Sequence, residues 1–96
     1  DEDYSRDLRA LVLVQRPRLR QALMALGLYV VPGQANYLLF FCSDTTLDLK
    51  LRDRGILIRN CTDFHGLGSG WYRIAVRGEA DNNRLIEEMG KVIADG

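Results

Sequence analysis

Residues 71–77 alternate strictly. Tyr72, Ile74 and Val76 fall on one side of an extended chain, and Trp71, Arg73, Ala75 and Arg77 on the other. A strand of this kind buries one face and carries arginine on the opposite face, so it demands a covering layer on one side only. Two amphipathic stretches supply that layer. Leu85, Ile86, Met89, Val92 and Ile93 recur at helical spacing and predict a helix over 79–94. Leu8, Leu11, Val12, Leu19, Leu23 and Leu26 predict another over 4–26, capped by Asp3 or Ser5 and closed by Gly27. Pro17 lacks an amide hydrogen and predicts a kink or a break there. Arg6, Arg9, Arg16, Arg18 and Arg20 read as the solvated face of that helix.

Between these helices, residues 30–33 form a short connection. Residues 36–42 are almost wholly apolar, as a strand covered on both faces would be. Ser43 and Asp44 cap a helix over 44–54, which buries Leu47, Leu49 and Leu51 and ends at Gly55. A second strand spans 56–61, and a loop over 63–70 holds Gly66, Gly68 and Gly70. The order is helix-strand-helix-strand-strand-helix. The first two strands flank a helix and are expected to be parallel, with the third between them. The predicted fold is α+β: a two-layer sandwich with a three-stranded mixed sheet, order 1-3-2, and helices on one face. All 96 residues read as a single domain.

Thirteen Lys+Arg balance thirteen Asp+Glu, so the basic footprint of a nucleic-acid-binding domain is missing. No apolar run approaches the roughly 18 residues that span a membrane, and the Asp1-Glu2-Asp3 opening is unlike a signal peptide. The lack of an initiator methionine reads as a processed or excised piece. Cys42 and Cys61 sit in apolar runs and read as reduced, buried thiols of a cytosolic protein. One histidine, His65, in a Gly-rich loop, and no His/Cys cluster argue against a metal site. Lys50 and Lys91 lie among polar helix neighbours, unsuited to imine chemistry, and no nucleophile elbow or phosphate-cradling loop occurs. The chain by itself therefore offers no catalytic residue. What stands out is arginine on strands. Arg59 ends one strand and Arg73 lies within another, and a guanidinium among apolar neighbours needs an anion. That anion is either a ligand or a structural partner among Asp44, Asp53, Asp63 and Asp81. Asn36, opening a strand after a turn, either ends the turn or presents its amide to a ligand.

The segments GQANYLLF, RGILIRNCTDFHGLG and WYRIAVRGEADNNRLIEEM, after a helix ending LRQALMALGLYVVP, resemble the C-terminal small domain of fold-type I pyridoxal-phosphate enzymes. The resemblance spans essentially the whole chain. It is nearest to the histidinol-phosphate aminotransferase group and, within it, to the cobalamin-pathway threonine-phosphate decarboxylase branch. It implies that Arg73 pairs with the substrate α-carboxylate, that Arg59 is a second basic contact near a substrate phosphate, and that Asn36 lies at the active-site mouth. It also implies a parent enzyme: a cytoplasmic homodimer whose large domain carries pyridoxal 5'-phosphate, which this piece does not bind. Such an enzyme acts on a phosphorylated amino acid or amine. A free-standing α+β anion-binding or regulatory module is the alternative, and neither reading involves nucleic acid or a membrane.

Overall fold

The structure is a computed structural model that describes residues 2–33 and 35–95, with side chains from residue 5 onward. Its elements run α1 (Glu2–Ala25), β1 (Tyr29–Val30), β2 (Tyr37–Phe41), α2 (Leu47–Arg52), β3 (Arg59–Asn60), β4 (Trp71–Ala75) and α3 (Glu79–Asp95). Leu38 and Phe40 of β2 and Tyr72 and Ile74 of β4 are buried. They form one core with Leu19 and Leu23 of α1, Leu47 and Leu51 of α2, and Leu85, Met89 and Val92 of α3. The alternation in β4 thus lies as predicted, with its apolar side under the helices.

The sheet corrects the expected topology. Its order is β1-β2-β4-β3 and every pairing is antiparallel, so it is neither mixed nor three-stranded. β2 and β3 do point the same way, as a helical crossover requires. They never touch, because β4 lies between them and runs against both, so no parallel ladder forms. The extra strand, β1, falls at the start of the segment read as a connection; Val31 N extends its pairing to Leu39 O.

Other boundaries shift for local reasons. α1 continues unbroken through Pro17, and it already begins at Glu2, so neither Asp3 nor Ser5 is its cap. Pro17 has no amide hydrogen to donate to the carbonyl of Leu13, and Leu13 lies on the exposed side of the helix. α2 is shorter than expected. Asp44 Oδ1 accepts from Thr46 N (2.9 Å) and Thr46 Oγ1 (2.7 Å), so residues 44–46 form a turn before the helix starts. Of the strand read over 56–61, Arg59 and Asn60 pair with β4, and Cys61 N extends the ladder to Trp71 O at 2.9 Å. The open side of β2 is uncovered, with Tyr37 and Phe41 both exposed, against the expectation of cover on both faces.

Arg16 departs furthest from its reading as a solvated residue. It is 9% exposed, and its Nε donates to Ala35 O at 2.8 Å, tying α1 to the turn before β2. Gly70 is needed where it stands. Its φ is +93°, and a Cβ there would lie 2.7 Å from both the carbonyl oxygen of Cys42 and the Phe41 ring.

Candidate anion-binding site

The second sheet face carries the site. Arg59 and Arg73 are register partners across the β3–β4 ladder, so the two guanidinium-bearing side chains project side by side from the same face. Like charges placed directly opposite destabilise a sheet pair. Among the described residues no carboxylate lies within 4 Å of either; the ion pairs present belong to Lys50, Arg54 and Lys91. Of the structural partners considered from sequence, Asp44 is taken by Lys50 at 2.7 Å. What the arginines do contact is aromatic. Arg59 Cζ is 5.3 Å from the centroid of Phe64; Arg73 Cζ is 5.0 Å from Tyr37 and 5.8 Å from Phe64.

A groove of ≈ 710 Å³ opens beside this pair, where β3 stops pairing and the chain before Arg59 parts from β4. Asn36, Tyr37, Ile58, Arg59, Arg73 and Arg77 are among its lining. The three residues singled out from sequence therefore meet at one groove. Asn36 is exposed and fixed through its backbone, its carbonyl accepting from Val76 N at 2.9 Å. His65 is exposed in the loop and does not line the groove.

Two further residues shape the surroundings. Cys61 follows Arg59 by two and shares its face, fully buried. Burial pushes its thiol up, and the charges of Arg73 and Arg59 offset part of that rise. Both cysteines are free. Asn82, 1% exposed, bolts the end of β4 to two helices. Its Oδ1 accepts from Arg77 N at 3.1 Å, and its Nδ2 donates to Arg77 O at 2.7 Å and Gln15 Oε1 at 3.1 Å. Sequence reasoning missed Phe64, Tyr37 and Asn82. A polar residue in the first turn of an otherwise apolar-striped helix was the available signal for Asn82, and an aromatic inside a glycine-rich loop was the one for Phe64.

An open sheet face bearing two arginines that have no carboxylate partner among the described residues, beside a groove, makes an α+β domain suited to binding a small anion. Residues 1–89 match the aminotransferase class I and II family, and the chain belongs to that family. It is 44% identical over 79 residues to a threonine-phosphate decarboxylase of Salmonella typhimurium, covering 79% of this chain and 22% of that protein. It is 33% identical over 95 residues to a histidinol-phosphate aminotransferase of Methanosphaerula palustris, covering 96% and 26%. The solved histidinol-phosphate aminotransferase of Clostridium acetobutylicum shares the fold, with TM-score 0.83 at 24% identity over 88% of this chain and 27% of that one. The chain thus spans about a quarter of the length of the relatives it matches.

The family implies pyridoxal phosphate in the whole enzyme. The residues present here do not fit its covalent attachment. Lys50 is paired with Asp44, Lys91 pairs with Glu87 at 3.3 Å, and neither lines the groove. Among the described residues no cluster of His, Cys, Asp or Glu could hold a metal, and no helix is long and apolar enough to cross a membrane.

Proposed function

We propose that this chain is the C-terminal small domain of a pyridoxal-phosphate-dependent aminotransferase or decarboxylase acting on a phosphorylated amino acid or amine. Its part is to bind the substrate's anionic groups. The observation that carries the reading is the cross-strand Arg59–Arg73 pair, which faces the same side and lacks a carboxylate partner among the described residues. Arg73 takes the α-carboxylate through its bidentate fork. Arg59 is a second basic contact toward the phosphate, and Asn36 presents its amide at the mouth. The cofactor supplies the electron sink from the large domain of the same protein, and this chain orients the substrate against it. Which bond at Cα breaks depends on that orientation, so one arginine serves either reaction. The whole enzyme is read as a cytoplasmic homodimer.

The test uses the full-length gene product and two ligands, O-phospho-L-threonine and 1-amino-2-propanol O-phosphate, which lacks the carboxylate. Affinity is read as KM where a ligand reacts and as a calorimetric Kd where it does not. Arg73→Gln is expected to weaken O-phospho-L-threonine by about a hundredfold, the loss of a charged, bidentate contact of about 3 kcal/mol. The carboxylate-free ligand should change by no more than about threefold. A variant that weakens both ligands equally, or a gene product that binds neither, overturns the reading.

A further inference from the structure

We propose that Phe64, together with Tyr37, is a positioning residue that holds the two guanidinium groups for the incoming anion, so that the loop after β3 sets the affinity of the site. This rests on the reading of Arg73 as the carboxylate contact. A single ring, Phe64, lies within cation–π range of both arginines, and Tyr37 lies within range of Arg73 from the neighbouring strand. Arg73 is thereby bracketed by two aromatic groups.

The chemistry of these partners matters. A carboxylate in their place would neutralise the arginines and compete with the ligand. An aromatic face attracts the cations, offsets part of their mutual repulsion, and leaves the N–H donors unclaimed for the anion. Long side chains on an open sheet face otherwise lose rotamer entropy when they bind, and prior restraint lowers that cost.

The loop is built to hold the ring in place. Asn60 Oδ1 accepts from Thr62 N at 2.9 Å and from Thr62 Oγ1, turning the chain directly after β3. Phe64 N then donates to Cys61 O at 3.0 Å, and Leu67 N to Phe64 O at 3.1 Å. Phe64 therefore sits at the junction of two successive turns, with Gly66 supplying the positive φ of +82°. The glycines of this segment serve to deliver an aromatic side chain rather than to cradle a phosphate.

The experiment compares Phe64→Leu and Phe64→Tyr in the full-length holoenzyme, each alone and with Arg73→Gln, reading affinity for O-phospho-L-threonine. Leucine keeps apolar bulk without a π-face, and tyrosine restores the face. Phe64→Leu is expected to weaken binding about tenfold and Phe64→Tyr by no more than about twofold. In the Arg73→Gln background the leucine change should cost at most about threefold, the remainder acting through Arg59. A leucine variant that binds like the parent, or one whose loss is as large with Arg73 replaced as with it present, overturns the positioning role while the carboxylate reading stands. If Arg73→Gln alone leaves affinity unchanged, the carboxylate reading itself has failed.

Discussion

Replacing Asn82 by alanine is expected to destabilise the fold far more than its place on a polar-looking helix start suggests. The amide is 1% exposed and makes three hydrogen bonds, at 3.1, 2.7 and 3.1 Å. Each neutral bond contributes about 1 kcal/mol net, and buried partners left unpaired cost more. The partners differ in what they retain. Gln15 Oε1 keeps its bond from Arg18 at 3.0 Å, whereas both backbone groups of Arg77 lose the one partner they have among the described residues. The loss should therefore be about 2–4 kcal/mol, moderated only if water enters the vacated space. At the urea dependence usual for a chain of this size, that lowers the unfolding midpoint by about 1–3 M. Urea titration followed by far-UV circular dichroism measures it. Asn82→Asp sharpens the test. It keeps an acceptor for Arg77 N but sets a carboxylate oxygen against two acceptor oxygens, so at neutral pH it should destabilise at least as much. A loss below about 1 kcal/mol for both variants would refute the view that this amide ties β4 to α1 and α3.

Two other outcomes follow from local geometry. Hydrogen bonds from Lys50 and then Thr46 lower the Asp44 pKa from 3.8 to about 2. A depressed carboxyl pKa stabilises the fold fully above about pH 4, and that stabilisation disappears as pH falls toward 2. Urea midpoints between pH 2 and 6 should show this acid limb, and Asp44→Asn should flatten it. Gly70→Ala forces a side chain into positive φ with its Cβ 2.7 Å from the Cys42 carbonyl oxygen, and should cost about 2–4 kcal/mol in the same titration; an unchanged midpoint would mean that the backbone yields freely there.

The parts of the fold that sequence revealed are those governed by periodicity. The stripe of α3 and the two faces of β4 follow from which side chains must leave water, and the order β2-β4-β3 follows from a helical crossover between β2 and β3. That Arg59 and Arg73 share one site was legible only as a conditional on β4 lying beside β3, and their direct register pairing was not legible at all. Short-range pairing was opaque. β1 is two residues, too short for a pattern, and β3 pairs over fewer residues than the strand read at 56–61; how far each ladder runs depends on the partners its neighbours offer. Arg16 and Asn82 were misjudged or missed for one shared reason: residue type predicts solvent, and only the tertiary structure supplies the buried acceptors and donors that reverse it.

The open face divides into two ends, and the division bears on function. Toward β1, Trp71 packs edge-on against Phe41 at 5.5 Å and Tyr29 at 6.2 Å between centroids, with Tyr29 and Phe41 exposed. Toward β3 the same face carries Arg59 and Arg73 over Phe64 and Tyr37. An aromatic end suits cover by another part of a protein, because apolar area gains most from exclusion of water. A cationic end does not, since burying two like charges without an anion is costly. On the proposed reading, cover over the aromatic end would leave the arginine pair either open to water or matched by a ligand's negative charge, because covering the pair without an anion would bury two like charges.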